Sequence, residues 1–184
     1  ASLDGRTAMA SGESKWITSA PAREDVQHLR AESSAIISGV GTVIADDPSL
    51  NVRSPDIDTG GRQPMRVIVD SRLRTPPASR LIGLPGVTLI AAAVDEPEQQ
   101  QHLRRAGAMV ELFPNASGKV DLGRLLERLA RLECNDVLVE TGARLAGMFL
   151  AESLVDELVL YLAPHLLGSG ARGLVEMPGL ETLA

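Results

Sequence analysis

Apolar and polar positions alternate between two rhythms along this chain. Short apolar runs, largely unbroken, occupy Ser34–Gly39 ("SAIISG"), Arg66–Asp70 ("RVIVD"), Val87–Val94 ("VTLIAAAV"), Met109–Phe113 ("MVELF"), Asp136–Glu140 ("DVLVE") and Asp156–Pro164 ("DELVLYLAP"). Runs without polar alternation predict strands covered on both faces. Helical spacing appears in "DLGRLLERLARLE", where Leu122, Leu125, Leu126 and Leu129 share a face and Asp121 stands ready to cap it. A second helix is expected in "TSAPAREDVQHLRAE", with Ser19 and Pro21 as start signals and Glu24 and Asp25 at the positive end of its dipole. A third follows the strand in "NDVLVETGARLAGMFLAE". Strands alternating with helices predict an α/β fold: a mostly parallel central sheet with helices on both faces. Ligands of such sheets sit beyond the carboxyl ends of the strands. The polar stretch from Val52 to Gln63, "RSPDIDTGGR" within it, is expected to be a disordered loop.

Composition narrows the class. A chain of 184 residues fits one domain with a sizeable core, and aromatic residues at 2% leave that core to Leu, Val, Ile and Ala. A net charge of -6 argues against a general nucleic-acid binder, which needs clustered cations. Lysine occurs only at Lys15 and Lys119, so arginine supplies nearly all positive charge, and guanidinium grips phosphate through paired hydrogen bonds. Cys134, the single cysteine, reads as a small buried residue of a reducing compartment. No signal peptide or membrane-spanning run is visible. The chain opens on "ASLDGR" without methionine and stops at "GLETLA", which reads as a fragment of a longer polypeptide.

Candidate chemistry gathers where strands end. In "ETGARLAG", Gly142 and Gly147 bracket a turn before a helix, letting backbone amides approach a ligand; close helix packing is the plainer alternative. The turn is neither a P-loop nor G-x-G-x-x-G. Glu140 ends an apolar strand, where a carboxylate needs a partner: an arginine, a helix cap, or a ligand at the cleft floor. Ser71, Arg72 and Arg74 in "VDSRLRTP" would suit the 2′-phosphate that distinguishes NADP from NAD, unless they form only a solvated turn. In "GVGTVIADDPSLNVR", Gly39 and Gly41 loosen the strand exit, Thr42 offers a hydroxyl, Asp46-Asp47-Pro48 makes a turn, and Arg53 follows. No third hard ligand accompanies the two acids, and His28, His102 and His165 are scattered, so no metal is expected. Trp16 sits in a Gly/Ser-rich loop beside Ser14, where it is either a core anchor or a surface for a flat ligand.

Taken in order, "SLDGRTAMASGESKWITS", "LRAESSAIISGVGTVIADDPSLNVR", "RVIVDSRLRTP", "VLVETGARLAGMFL" and "DELVLYLAPHLLGSGARG" resemble the reductase domain of the bifunctional riboflavin-biosynthesis deaminase–reductase, a dihydrofolate-reductase-like fold. The resemblance implies one reductase domain over 1–184, without the deaminase half and with the final strands lying beyond Ala184. It implies reduction, by NADPH, of the ribose of 5-amino-6-(5-phosphoribosylamino)uracil to a ribityl chain, in a cytoplasmic homodimer that binds neither nucleic acid nor membrane. By matching motif, Trp16, Thr42, Asp46, Ser71, Arg74 and the turn Gly142, Ala143, Arg144, Leu145, Ala146, Gly147 would contact NADPH. Ser14, Arg30, Leu50, Arg53 and Glu140 would contact the phosphorylated ribosylaminopyrimidine, with Arg30 and Arg53 on its phosphate and Glu140 as the catalytic carboxylate. Two other readings compete: a reductase of the same fold acting on dihydrofolate or a related pterin or pyrimidine, and a non-catalytic NADPH-binding or dimerisation module.

Overall fold

Parallel pairing of the apolar runs organises the chain. In the computed structural model, which describes residues 1–14, 17–177 and 179, the elements are β1 (Arg6–Ala8), α1 (Ala20–Glu32), β2 (Ala35–Gly39), α2 (Val40–Asp46), β3 (Met65–Val69), α3 (Arg80–Gly83), β4 (Thr88–Ala92), α4 (Pro97–Arg105), β5 (Met109–Leu112), α5 (Leu122–Arg131), β6 (Val137–Val139), α6 (Ala143–Ala151) and β7 (Arg172–Gly173). The chain divides into two compact units, Gln27–Thr141 and a second made of Ala1–Val26 with Gly142–Ala184.

Within Gln27–Thr141 a five-stranded parallel sheet runs in the order β5-β4-β3-β2-β6. Register sets Ile36 beside Leu138, Ile68 beside Ile90, and Ile90 beside Val110. These residues share a face, since strand side chains alternate. There they pack with Val40 and Val43 of α2, Leu81 and Ile82 of α3, and Leu103 of α4. The opposite face carries α5, whose Arg128 grips Glu111 of β5 through both carboxylate oxygens. Leu122, Leu125 and Leu129 of that helix are fully buried, each contributing about 2 kcal/mol. Asp121 caps it by accepting from the Arg124 amide at 2.9 Å, as its position before the apolar stripe implied. Ser19 likewise accepts from the Ala22 amide at the start of α1.

Three local expectations differ from the structure. Asp156–Pro164 is not a strand: only Ala163 makes a bridge, to Ser2, and Leu158, Val159, Leu160 and Leu162 are exposed. The apolar run has strand character, but among the described residues only its far end finds a main-chain neighbour: the Tyr161 carbonyl accepts from the Ala1 amino group, and the Ala163 amide donates to the Ala1 carbonyl. The stretch after β2, read as a glycine-loosened exit, forms α2 at once, because Val40 and Val43 fall one turn apart and both reach the core. Finally, the polar segment before β3 is a closed loop. Turns at Ser54–Ile57 and Thr59–Arg62 fold it, and Gln63 returns its side chain to Val52.

In the second unit β1 and β7 pair antiparallel. Asp4 accepts from the Ser2 hydroxyl and from the Leu167 and Gly168 amides. Those bonds, the serine's foremost, draw its carboxyl down to about 2. Tyr161 donates to the Asp25 carboxylate, which pushes its phenol up to about 12.

Candidate active site

The carboxyl edge of the parallel sheet collects most of the chemistry in Gln27–Thr141. Glu140 follows β6 directly, and its amide donates to the Ile37 carbonyl at 2.9 Å, so the ladder fixes where the side chain begins. Its carboxylate receives Arg30 Nε and Nη2, each at 2.6 Å. This is the two-pronged geometry in which an arginine–carboxylate pair is strongest. The Arg30 side chain is 9% exposed and that of Glu140 is 24% exposed, so the pair has a dry cation and a carboxylate still open to solvent. Arg30 also donates Nη1 to the Asn51 carbonyl at 2.9 Å. Of the alternatives open for Glu140, the arginine partner is the one the structure supplies.

That last bond leads into the segment Leu50–Arg53. Leu50 takes a left-handed backbone (φ 45°) and buries its side chain. The Val52 amide donates to Gln63 Oε1 at 2.8 Å, while Gln63 Nε2 donates to the Val52 carbonyl at 3.1 Å. One side-chain amide thus does for Val52 what a neighbouring strand would do. The Arg53 amide donates to Oε1 of the buried Gln27 at 3.0 Å. Arg53 itself is exposed, and its guanidinium forms no ion pair among the described residues.

At the exit of β3, Asp70 is fully buried, and its Oδ2 accepts from both the amide and the hydroxyl of Thr75 at 2.7 Å. The enclosed turn carries Leu73, buried with φ 53°, between the exposed Arg72 and Arg74. Ser71 accepts from the Val120 amide at 3.2 Å and keeps its own hydroxyl proton to donate. Thr42 lies half-buried in the first turn of α2, and Asp46 is exposed at its end. Asp47, next in line, takes a left-handed backbone and accepts from the Arg80 amide at 2.8 Å.

In the second unit Gly142 stands at the start of α6 with open space around the position a Cβ would take. A helix start leaves several amides without intrahelical partners. Arg144 is exposed and lies 3.5 Å from Glu176. Leu145 is buried, and Ala143 and Ala146 are half-buried. Gly147 has another reason to be glycine: a Cβ there would collide with the main-chain carbonyl of Glu176. Ser14 lines a cleft of about 430 Å³ with Met9, Glu13, Ile17 and His165–Leu167. Trp16 lies outside the described residues.

Three residues of this edge escape a reading of the sequence: Gln27, Gln63 and Asp70. Gln27 had a signal, because it precedes Arg30 by one helical turn and shares its face. Asp70 closes an apolar strand as Glu140 does, a parallel that could have marked it. Nothing local distinguishes Gln63. Among the described residues no group of acids, histidines or cysteines is placed to hold a metal ion, and no helix is long and apolar enough to cross a membrane.

A parallel sheet covered on both faces, with charged and amide side chains gathered past its carboxyl edge, is an α/β domain of the dihydrofolate-reductase-like fold. The family model described as RibD C-terminal domain matches residues 1–184, and the chain belongs to that family. It is 47% identical over 193 residues to the riboflavin biosynthesis protein RibD of Escherichia coli, covering 100% of this chain and 52% of that protein. A Buchnera aphidicola protein named 5-amino-6-(5-phosphoribosylamino)uracil reductase is 37% identical over 176 residues, covering 90% of this chain and 83% of that one. The solved structure of Acinetobacter baumannii RibD, form 2, superposes with a TM-score of 0.83 at 41% identity, covering 100% of this chain and 50% of its own. The chain thus spans about half the length of the RibD relatives it matches.

Proposed function

We propose that this chain reduces the ribosyl group of 5-amino-6-(5-phosphoribosylamino)uracil to the ribityl chain with NADPH, as a step of riboflavin biosynthesis. The Buchnera relative bears that reductase's name and is matched over most of its length. The observation that carries the reading is the Arg30–Glu140 pair: a solvent-reachable carboxylate, held by a buried guanidinium, beside a braced loop that presents Arg53.

The cofactor residues fit the group on chemistry. Exposed Arg72 and Arg74 on a braced turn, with the Ser71 hydroxyl beside them, suit a 2′-phosphate. Open space at Gly142, at the start of α6, suits a phosphate on helix amides. We assign Thr42, Asp46, Ser71, Arg74 and the turn 142–147 to NADPH, with Trp16 as a further contact by resemblance. Gly147 serves packing as well. When bound, the nicotinamide supplies a hydride to the sugar carbon C1′.

The chain's own residues then have three tasks. Arg53 holds the 5′-phosphate, using binding energy remote from the reacting carbon. Arg30 was expected on that phosphate too; with its guanidinium committed to Glu140 and Asn51, its part is to orient the carboxylate. Glu140 accepts hydrogen bonds from the opened sugar and stabilises the positive charge of the imine-like form. Ser14 and Leu50 complete the substrate contacts. The same reading makes the protein a cytoplasmic homodimer.

The deciding experiment follows NADPH oxidation by absorbance with the ribosylaminopyrimidine 5′-phosphate, run beside dihydrofolate. Turnover of the first alone is expected. Turnover of dihydrofolate would move the chain to a folate-type reductase, and cofactor binding without turnover of either would make it a non-catalytic module.

A further inference from the structure

We infer that Gln27 and Gln63 are positioning residues for phosphate recognition, acting through the backbone of Asn51–Arg53. The inference rests on the proposed reductase reading and names the device that makes Arg53 an effective anchor.

Loops of irregular backbone ordinarily leave their amides and carbonyls to water. Here consecutive residues have main-chain groups taken by side chains from elsewhere in the fold: the Asn51 carbonyl by Arg30, both groups of Val52 by Gln63, and the Arg53 amide by Gln27. Gln27 and Arg30 lie one turn apart on α1, so a single helix face supplies two of the clamps. Gln63 supplies the third from the far end of the Val52–Gln63 loop, closing it. Leu50 adds a buried anchor in a left-handed backbone that a leucine adopts only under constraint. Every tether holds main chain, and the Arg53 guanidinium stays exposed. Such an arrangement limits where Arg53 can reach without engaging its charge. A long side chain on a fixed base loses less freedom on gripping an anion than one on a loose loop.

The clamps therefore act on affinity for the phosphorylated end of the substrate, and only through Arg53. The test compares wild type with Gln27→Met, Gln63→Met, Arg53→Ala and the double variant Gln27→Met/Arg53→Ala. Binding of ribose 5-phosphate and of ribose is measured by calorimetry, with KM and kcat for the full substrate and thermal melting of each variant. Each glutamine variant is expected to weaken ribose 5-phosphate binding and raise KM by about tenfold, with kcat, NADPH affinity and binding of unphosphorylated ribose unchanged. In the double variant the Gln27 change should add nothing to the loss caused by Arg53→Ala. Additive losses, or losses equal for ribose and ribose 5-phosphate, would overturn the inference. So would glutamine variants that keep wild-type affinity. If a variant melts early, the ratio of the two sugar affinities in its folded fraction still decides between these outcomes. Wild-type protein that neither distinguishes the two sugars nor oxidises NADPH would instead remove the reductase reading itself, and the inference with it.

Discussion

Two buried arginines sit in the Gln27–Thr141 unit, and they are solvated in opposite ways. Arg66, in β3, is fully buried and donates only to neutral oxygens: the carbonyls of Leu84, Pro85 and Gly86, and the Thr88 hydroxyl. Burial lowers the pKa of this guanidinium, with no carboxylate beside it to compensate. Arg30 has its charge met by a full carboxylate, yet that carboxylate remains partly open to solvent. The first arrangement satisfies a cation with what a turn already offers and presents nothing outward. The second holds an anion at a rim where a ligand can reach it. Burial alone therefore does not separate Arg66 from the arginine proposed to serve a ligand; what differs is the exposure of the partner.

The largest effect that would break this contrast is at Arg66. Arg66→Met should destabilise the fold by about 3 kcal/mol, because it strands carbonyls gathered around one guanidinium. Chemical denaturation measures the loss, and the KM values of the folded enzyme should stay put; a change in substrate KM would show that Arg66 belongs with Arg30 after all. Next comes Glu140→Gln. It keeps the shape but turns an amide N–H toward the Arg30 donors, so kcat should fall about a hundredfold with NADPH affinity intact. Steady-state kinetics with a cofactor fluorescence titration separates the two, and unchanged turnover removes the catalytic role.

The smallest effect sharpens the same contrast with reversed charge. Asp4, in the other unit, is an anion met by amides and a hydroxyl rather than by a cation. Its carboxyl lies at about 2, below its ordinary 3.8. A depressed carboxylate stabilises fully above its unfolded value and loses that contribution as pH falls toward its folded one. The melting temperature of wild type should therefore exceed that of Asp4→Asn at pH 5, and the gap should narrow between about pH 4 and pH 2. A gap independent of pH would mean that the bonds, not the charge, carry the effect.

Much of the sheet was legible in the sequence because a strand covered on both faces has little choice of residue. Val67, Ile68, Leu89 and Ile90 state their burial outright. Asp121 and Ser19 were legible as caps because a helix start has few solutions. The failures share a cause in pairing. Leu158–Leu162 has strand composition, but composition does not provide a neighbour. Val40–Asp46 was hidden by Gly39 and Gly41, although Val40 and Val43 already stood one turn apart. At the candidate site, Glu140 was visible as a charge closing an apolar strand, whereas Arg30 came only with the family resemblance. That they hold each other could not be read, since 110 residues separate them. Glutamines are harder still. Their amides become informative only when the backbone they complete is known, as for Gln63 at Val52.

Leu50 and Leu73 belong to one and the same apolar cluster, on the sheet face covered by α2, α3 and α4. Each pegs a different rim loop, one leading to Arg53 and the other separating Arg72 from Arg74. The two loops are thus moored to a common mass. A void opened in that mass, for instance by Val43→Ala, would slacken both moorings together, although it touches neither arginine.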